Sequence, residues 1–464
     1  MNNNTTKIQN GALAVGLMTV VYAGLAAVAF LVQKIGVVDL PIFTAPDISR
    51  PLGWLIFGWL VLALVAYSFL PRLTVGLKNR RLIWLFIVIF AALFAALPAL
   101  GSIDIYFYAF YPKILLAYGQ NPYFSLIKDF PADNFYSPYL NTWMATPMVY
   151  GPLWLYFAAV AVAPFLSNLA AAIISLKVLA AAFFIGCLVL IDQILKQLAP
   201  ARRLVSLVLL GWSPFVLWET VNNGHNDIMM IGFFLLACFL LIKNKYLWIF
   251  PALTLSVLIK PVTLIFFPFF GLSLWRTTKD KERREVWWSL GLSAAAVVLV
   301  WLPLWRGAET LHALFKVGDY YNSLPLIAPL TYWFYHFPAI TGQPDGISFP
   351  RFLQLTGLTV GGCFYLWLLL KSKSRTPVDL FKVCFKASLI VLLIVAIYTQ
   401  PWYWLLPIFI LALIPDWPWR YLVGLTLAAF LTYYFSPLQL SLMALAAVIG
   451  WQFYKLIYGL FRRA

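Results

Sequence analysis

Apolar runs of roughly 15–25 residues recur from one end of this chain to the other, and a helix needs a run of that length to cross a hydrocarbon core ~30 Å thick. The runs are continuous rather than alternating, which indicates helices and not the strands of a barrel. Of the 464 residues 63% are hydrophobic and 11% charged, whereas a soluble domain is nearer half apolar. The sequence therefore predicts an all-α, polytopic membrane protein. The first run, 12–32, follows a polar start whose one charge is Lys7. It lacks a clear small-residue cleavage site and reads as a retained helix.

A net charge of +17 would suit a nucleic-acid partner, but its distribution argues against one. The basic residues fall in short loops between apolar runs: Arg72, Lys78, Arg80 and Arg81; Lys196, Arg202 and Arg203; Lys243 and Lys245; the run from Arg276 to Arg284; Lys371 to Lys386; and Arg462 with Arg463. Cytoplasmic loops carry such an excess. The expected partner is membrane lipid, and no nucleic acid. The four cysteines, Cys187, Cys238, Cys363 and Cys384, lie in or at the edges of apolar segments, without metal-ligand spacing or any sign of disulfides.

Putting every basic cluster on the inside yields one consistent path through a plasma membrane. Its spans are 12–32, 52–70, 82–100, 169–194, 204–220, 228–242, 246–259, 262–275, 287–304, 351–370, 383–399, 402–415, 420–435 and 438–456, about 14 helices with both termini cytoplasmic. The stretch 151–166, bounded by Pro152 and Pro164, is short; if it spanned, Arg202 and Arg203 would face out. It reads as a juxtamembrane or re-entrant helix. Lys260-Pro261 interrupts 246–275, since proline breaks the hydrogen-bond ladder. A hairpin there brings Lys260 to the outer face. Two long outer loops result, 101–168 and 305–350, the second with an apolar piece, 326–337, too brief to span. No fixed-period repeat, low-complexity tail or large soluble domain is evident, so the chain reads as a single domain over 1–464.

Polar residues concentrate on the outer side. The sharpest candidate is Asp104, just past an apolar run. A carboxylate near apolar walls and aromatic rings has its pKa raised, which suits a general base; capping a juxtamembrane helix is the alternative. His225, one of three histidines, stands in the outer turn Glu219-Thr220-Val221-Asn222-Asn223-Gly224-His225-Asn226-Asp227. Asn223, His225, Asn226 and Asp227 could bind sugar hydroxyls or phosphate, or Asp227 could cap the helix that follows. His225 and Asp227 are too few ligands for a metal site. Lys260 at a broken helix suits a phosphate, and snorkelling is the other possibility. The same choice applies to Lys177, inside a span, and to Arg306, at an outer helix end. Tyr106, Tyr108, Trp402 and Tyr403 could be platforms for a sugar face or members of the interfacial aromatic belt. The second loop adds Lys316, Asp319, Tyr320, Tyr321 and Asn322, and the late tip Gln400. Phosphate-cradling Gly-Lys-Ser/Thr loops, His-Glu-x-x-His, nucleophile elbows and dinucleotide fingerprints are missing, so a cytoplasmic nucleotide-sugar site has no support.

In chain order these residues read Asp104-Ile105-Tyr106-Phe107-Tyr108, Gly119-Gln120-Asn121-Pro122-Tyr123, Tyr150-Gly151-Pro152-Leu153, Gly224-His225-Asn226-Asp227, Leu258-Ile259-Lys260-Pro261 and Gln400-Pro401-Trp402-Tyr403. In order and spacing, over 82–415, the pattern resembles the polytopic GT-C-type glycosyltransferases that use polyprenyl-phosphate sugars. Within them it resembles the bacterial polyprenyl-phosphomannose-dependent mannosyltransferases, including the α-1,6-mannosyltransferases of cell-envelope lipomannan assembly. The resemblance implies a GT-C-like bundle with 82–415 as its catalytic region, flanked by N-terminal helices in 12–70 and C-terminal ones in 420–464. It implies inverting transfer, at the outer leaflet, from a polyprenyl-phosphate sugar donor (mannose) to a glycan or glycolipid acceptor. Asp104 takes the catalytic aspartate position and Lys260 that of a basic residue near the lipid phosphate; Asn121 and Tyr150 fall in the matching motifs. The chain departs from the pattern in two places: the next acids after Asp104 are Asp129 and Asp133, and Tyr150-Gly151-Pro152 stands where a double proline is common.

On this reading Asp104 deprotonates the acceptor hydroxyl, the oxygen attacks the anomeric carbon opposite the phosphate, and Lys260 with Arg306 stabilises the departing charge. Neither a cofactor nor a metal is called for, and transfer is expected to be insensitive to EDTA. The competing reading is a transporter or lipid flippase. Such proteins carry polar groups at the midplane on internally repeated, broken helices; here those groups lie at one boundary and the halves look unlike.

Overall fold

The computed structural model describes residues 3–34, 51–74, 79–99, 101–136, 143–315, 325–336, 347–433 and 439. Among these the architecture is all-helical. The helices are α1 (Asn3–Lys34), α2 (Pro51–Leu73), α3 (Arg80–Ala96), α4 (Asp104–Tyr118), α5 (Pro152–Val162), α6 (Leu169–Leu198), α7 (Arg203–Gly211), α8 (Pro214–Leu217), α9 (Asp227–Ile242), α10 (Tyr246–Ile259), α11 (Phe267–Thr277), α12 (Asp280–Trp301), α13 (Glu309–Phe315), α14 (Ala328–His336), α15 (Phe349–Lys371), α16 (Pro377–Ile390), α17 (Leu405–Ala412) and α18 (Trp419–Leu431).

Four stretches of the described chain are helical, long and apolar enough to cross a membrane: Gly11–Leu31, Leu55–Leu73, Leu169–Leu198 and Phe349–Lys371. A fifth follows if the bent pair Pro200–Gly211 and Pro214–Asn222 is one span. Other predicted spans form as shorter apolar helices, among them α9, α10 and α18. The surface is that of a membrane protein: Val178 is 58% exposed, Leu299 70% and Leu370 82%, whereas Lys177, Asp192, Glu219, Asn222 and His225 are buried. Aliphatic side chains face outward where hydrocarbon is the solvent, and ionisable groups turn inward to find partners.

Local chemistry sets the boundaries. Asn79 caps α3, its Oδ1 accepting from the N–H groups of Arg81 and Leu82 at 3.1 and 3.3 Å, and Asn168 caps α6 through Ala171 N–H at 3.1 Å. Gly119, at φ 63°, ends α4 in the left-handed conformation that glycine adopts without strain. Three boundaries differ from the sequence expectation. The span 204–220 is not one helix: Ser213 caps a new start and Pro214 takes its first position, so the chain bends by 54° and ends in a π-helical segment, Trp218–Asn222. The segment expected over 383–399 begins at Pro377, because Thr376 and Asp379 form a capping box, and passes into a second π-helical segment, Val391–Val395. The break at Lys260-Pro261 is present, with Lys260 extended (φ −142°) as a residue before proline prefers. The flanking helices do not form the expected tight hairpin: α10 packs on α9 and α12, while the 3₁₀ turns of Pro261–Phe266 carry α11 toward α16.

The stretch 151–166 contains α5, which at 11 residues is too short to span and packs against α4, α6 and α10. The apolar piece at 326–337 is α14. Apart from Gln439, the expected span 438–456 lies outside the described residues, as do the basic tail at Arg462 and Arg463 and the second-loop residues Lys316, Asp319, Tyr320, Tyr321 and Asn322.

Candidate active site

Helix ends from across the chain converge on one cavity of about 290 Å³, near the lower limit of small-molecule sites. The start of α4 supplies Asp104, Phe107 and Tyr111; the loop before α5 supplies Trp143, Thr146 and Tyr150; α9 supplies Asp227 and Met230. The α10 break adds Lys260, and the turn before α17 adds Trp402 and Tyr403. Leu314, Val391, Leu392, Ala396 and Leu406 make up an apolar part of the lining.

Asp104 occupies the first position of α4. The residue in the capping place, Ile103, makes no side-chain cap bond, so the capping alternative is not what the carboxylate does. Asp104 N–H donates to Ser102 Oγ at 3.1 Å, and Asp104 Oδ2 lies 3.9 Å from His225 Nδ1. Burial pushes the Asp104 carboxyl above the usual carboxylate range, partly offset by the neighbouring His225 and Lys260. Lys260 Nζ donates to Asp227 Oδ2 at 2.5 Å and stands 5.6 Å from the Tyr150 ring and 5.4 Å from the Tyr403 ring. An ammonium has three donors. Asp227 fixes the orientation of this one and leaves donors for a ligand.

Behind this wall His225 lies flat on Trp402, ring centroids 3.8 Å apart and planes 20° apart. Burial pushes its imidazole down to about 4, so the ring is neutral near pH 7. Tyr108 Oη donates to Asn226 Oδ1 at 3.5 Å, and Tyr108 packs edge-on against Tyr150. Among the described residues, neither ring nitrogen of His225 nor Asn226 Nδ2 makes a hydrogen bond, although all three are buried. Buried polar atoms are normally satisfied, and exceptions concentrate where function needs them.

The loop carrying Asp104 is pinned from below. Asn222 Nδ2 donates to the carbonyls of Phe94 at 3.2 Å and Pro98 at 2.8 Å, and Lys177 Nζ donates to Leu97 O. Lys177 thus braces the end of α3 and does not snorkel. Asn223 takes Gly101 N–H on Oδ1 at 3.0 Å and donates Nδ2 to Glu219 at 3.1 Å. A Cβ on Gly101 would sit 2.4 Å from Trp218 Nε1, so only glycine permits this approach. Asn223 is therefore a brace under the cavity.

The remaining motif residues interlock as scaffold. Tyr123 Oη donates to Tyr150 O at 2.7 Å, and Gly151 N–H donates to Ile259 O at 2.9 Å. A Cβ on Gly151 would lie 2.0 Å from Leu258 O, so the bare backbone is what lets Tyr150 and Lys260 meet. Asn121 donates to Leu304 O at 2.8 Å and lies outside the cavity lining, as does Tyr106. Arg306 is exposed, its guanidinium donating to Trp305 O at 3.2 Å, and it does not line the cavity. Asp133 is held by Lys113 at 2.8 Å and Tyr118 at 2.6 Å, and Asp129 caps Leu126 N–H at 2.9 Å. The acids that approach Asp104 are instead Asp227 and, through His225, Glu219. Sequence reasoning places Glu219 in the outer polar turn but gives it no role, and it passed over Trp143, Tyr398 and the apolar side of the cavity.

No curated protein matches the chain. Residues 8–276 match the family described as alpha-(1->6)-mannopyranosyltransferase, N-terminal domain. The match takes in α1 to α10 and most of α11, and with them Asp104, Tyr150, Asp227 and Lys260; Trp402, Tyr403 and the apolar wall come from chain beyond it. The family match is to an enzyme: the chain belongs to the alpha-(1->6)-mannopyranosyltransferase family and is a glycosyltransferase.

Proposed function

We propose that this mannosyltransferase uses a polyprenyl-phosphate mannose donor and a glycan or glycolipid acceptor, at the outer face of the plasma membrane, within a GT-C-like bundle of about 14 spans. The observation that carries the reading is that Asp104 and Lys260 both line one cavity whose lining is otherwise partly aliphatic. The prenyl chain lies against Leu314, Val391, Leu392 and Leu406. The phosphate takes the free donors of Lys260; a metal is not required for that contact. Mannose lies between Lys260 and Asp104, bounded by Tyr150, Trp402 and Tyr403.

The reaction is a single displacement. Asp104 takes the proton of the acceptor hydroxyl, its oxygen bonds to the anomeric carbon, and the carbon–oxygen bond to phosphate breaks with its electron pair leaving on phosphate. One displacement inverts the anomeric centre. Lys260 is preorganised by Asp227 to stabilise the charge that develops on the leaving oxygen, which is where fixed cations contribute most. The test is transfer of radiolabelled mannose from a synthetic polyprenyl phosphomannose by the purified protein in lipid, followed by anomeric analysis. A β-linked donor yielding an α-linked product is expected; retention of configuration, or transfer only from a nucleotide sugar, would overturn the reading.

A further inference from the structure

One carboxylate near the cavity has no part in the mechanism above. Glu219, on the π-helical segment Trp218–Asn222, is fully buried. Its Oε1 accepts from Tyr433 Oη and its Oε2 from Asn223 Nδ2. Oε2 also lies 3.3 Å from His225 Nε2, on the side of the imidazole opposite Asp104. His225 therefore separates two carboxylates. The other groups around the ring are Tyr108 from α4, Trp402 on its face, and Asp227 with Lys260, which pair with each other.

Proton counting makes this arrangement informative. A neutral imidazole has one N–H and one lone pair. With both acids ionised, the lone pair must face an anion whichever tautomer is present. Directing N–H at Asp104 leaves Nε2 facing Glu219, and with burial holding the ring neutral the clash is relieved by a proton on Glu219. The ring is not yet in line for either hydrogen bond; catalytic hydrogen bonds are often loose before substrate binds.

We propose that Asp104, His225 and Glu219 share one extra proton, which rests on Glu219 in the working enzyme and so directs His225 Nδ1–H at Asp104, holding it ionised and oriented. Glu219 and His225 are positioning residues here, acting through Asp104, and the proposal rests on Asp104 being the base. When Asp104 accepts the acceptor's proton, the Nδ1–H bond to it weakens. The new proton leaves through the cavity with product, so the trio ends each turnover as it began.

The experiment compares the pH dependence of kcat for wild type, Glu219→Gln and His225→Phe, with Asp104→Asn alongside. Gln offers Nε2 the same donor as protonated Glu219 and the same zero charge, so the acid limb stays where wild type has it. Phe keeps the stack on Trp402 but has no donor for Asp104, so the limb moves to higher pH. The Phe shift is expected to be about one pH unit, a tenfold change in ionised fraction on the limb. Limb positions are read independently of the plateau rate. If Asp104→Asn is inactive while the Phe limb superimposes on wild type, or the Gln limb moves to lower pH as removal of a negative charge would move it, the shared proton is overturned and the base stands. If Asp104→Asn keeps the wild-type rate and limb, the base reading falls and takes this proposal with it.

Discussion

Helix α6 connects two buried ionic clusters that have little in common beyond burial. At its far end Asp192 is fully enclosed and completely satisfied. Arg203 donates Nε to Oδ1 at 3.0 Å and Nη2 to Oδ2 at 2.9 Å, and Arg80 from the start of α3 donates to Oδ2 as well. At its near end Lys177 braces the loop that presents Asp104, and there the polar groups are left short. Asp104 faces His225 at 3.9 Å, and His225 and Asn226 carry buried nitrogens with no hydrogen bond among the described residues. A bidentate pair with all its oxygens occupied has nothing left for a substrate. The incomplete cluster is the one that borders the cavity. Local rules broken in one place and obeyed in the other separate chemistry from scaffold within the same bundle.

Removing the carboxylate's charge at each end is the strongest way to break this contrast. Asp104→Asn is expected to reduce transfer by ~10²–10⁴-fold, the usual contribution of a positioned base, with thermal unfolding unchanged. Near-full activity would remove Asp104 from the role. Asp192→Ala is expected to do the reverse. It strands two guanidinium groups, and breaking a buried pair costs about 3–5 kcal/mol; because the Arg80 side chain is 48% exposed and rehydrates, the low end applies. The measurements are unfolding midpoint in detergent and activity per folded molecule. A stable but inactive Asp192→Ala protein would erase the distinction between the two ends.

The same contrast explains what could be read from sequence. Apolar run length located most helices because hydrocarbon imposes a length on whatever crosses it, and Asp104, Asp227 and Lys260 stood out because charge beside an apolar run is rare. Proline misled in one place and helped in another. Lys260-Pro261 marked a true break, whereas Ser213-Pro214, an equally plain signal, was buried in an apolar run and passed unnoticed. Glu219 was legible as the first residue of the polar turn 219–227, but its role was not: it closes a hydrophobic stretch and reads as its polar edge. Arg306 failed differently. Depth in the membrane can be inferred from position along a helix, but the direction a side chain faces around the bundle depends on packing between distant helices, and Arg306 faces away from the cavity. The aliphatic wall of Leu314, Val391, Leu392 and Leu406 was invisible for that reason too, since cavity-facing and lipid-facing leucines look alike in a sequence.

Lys260 sharpens the comparison, because among the described residues it is the one cation of the near end that is paired with an acid and lines the cavity. At the Asp192 end two arginines saturate one acid; at the near end one lysine meets one acid and keeps donors in reserve. Lys260→Gln retains a donor but loses the charge. A charged hydrogen bond contributes about 1.5–3 kcal/mol, so kcat/KM for a polyprenyl-phosphate donor should fall roughly 10–100-fold. If Lys260 meets phosphate only in the ground state, KM rises and kcat holds; if it stabilises the leaving oxygen, kcat falls as well. The variant also leaves Asp227 ionised without its partner beside Asp104. That raises the Asp104 carboxyl further and moves the acid limb of the rate profile to higher pH, because activity requires the ionised carboxylate. A drop in kcat/KM with no movement of the limb would mean that Lys260 serves the phosphate alone and that the Asp227 pair is electrically silent at Asp104.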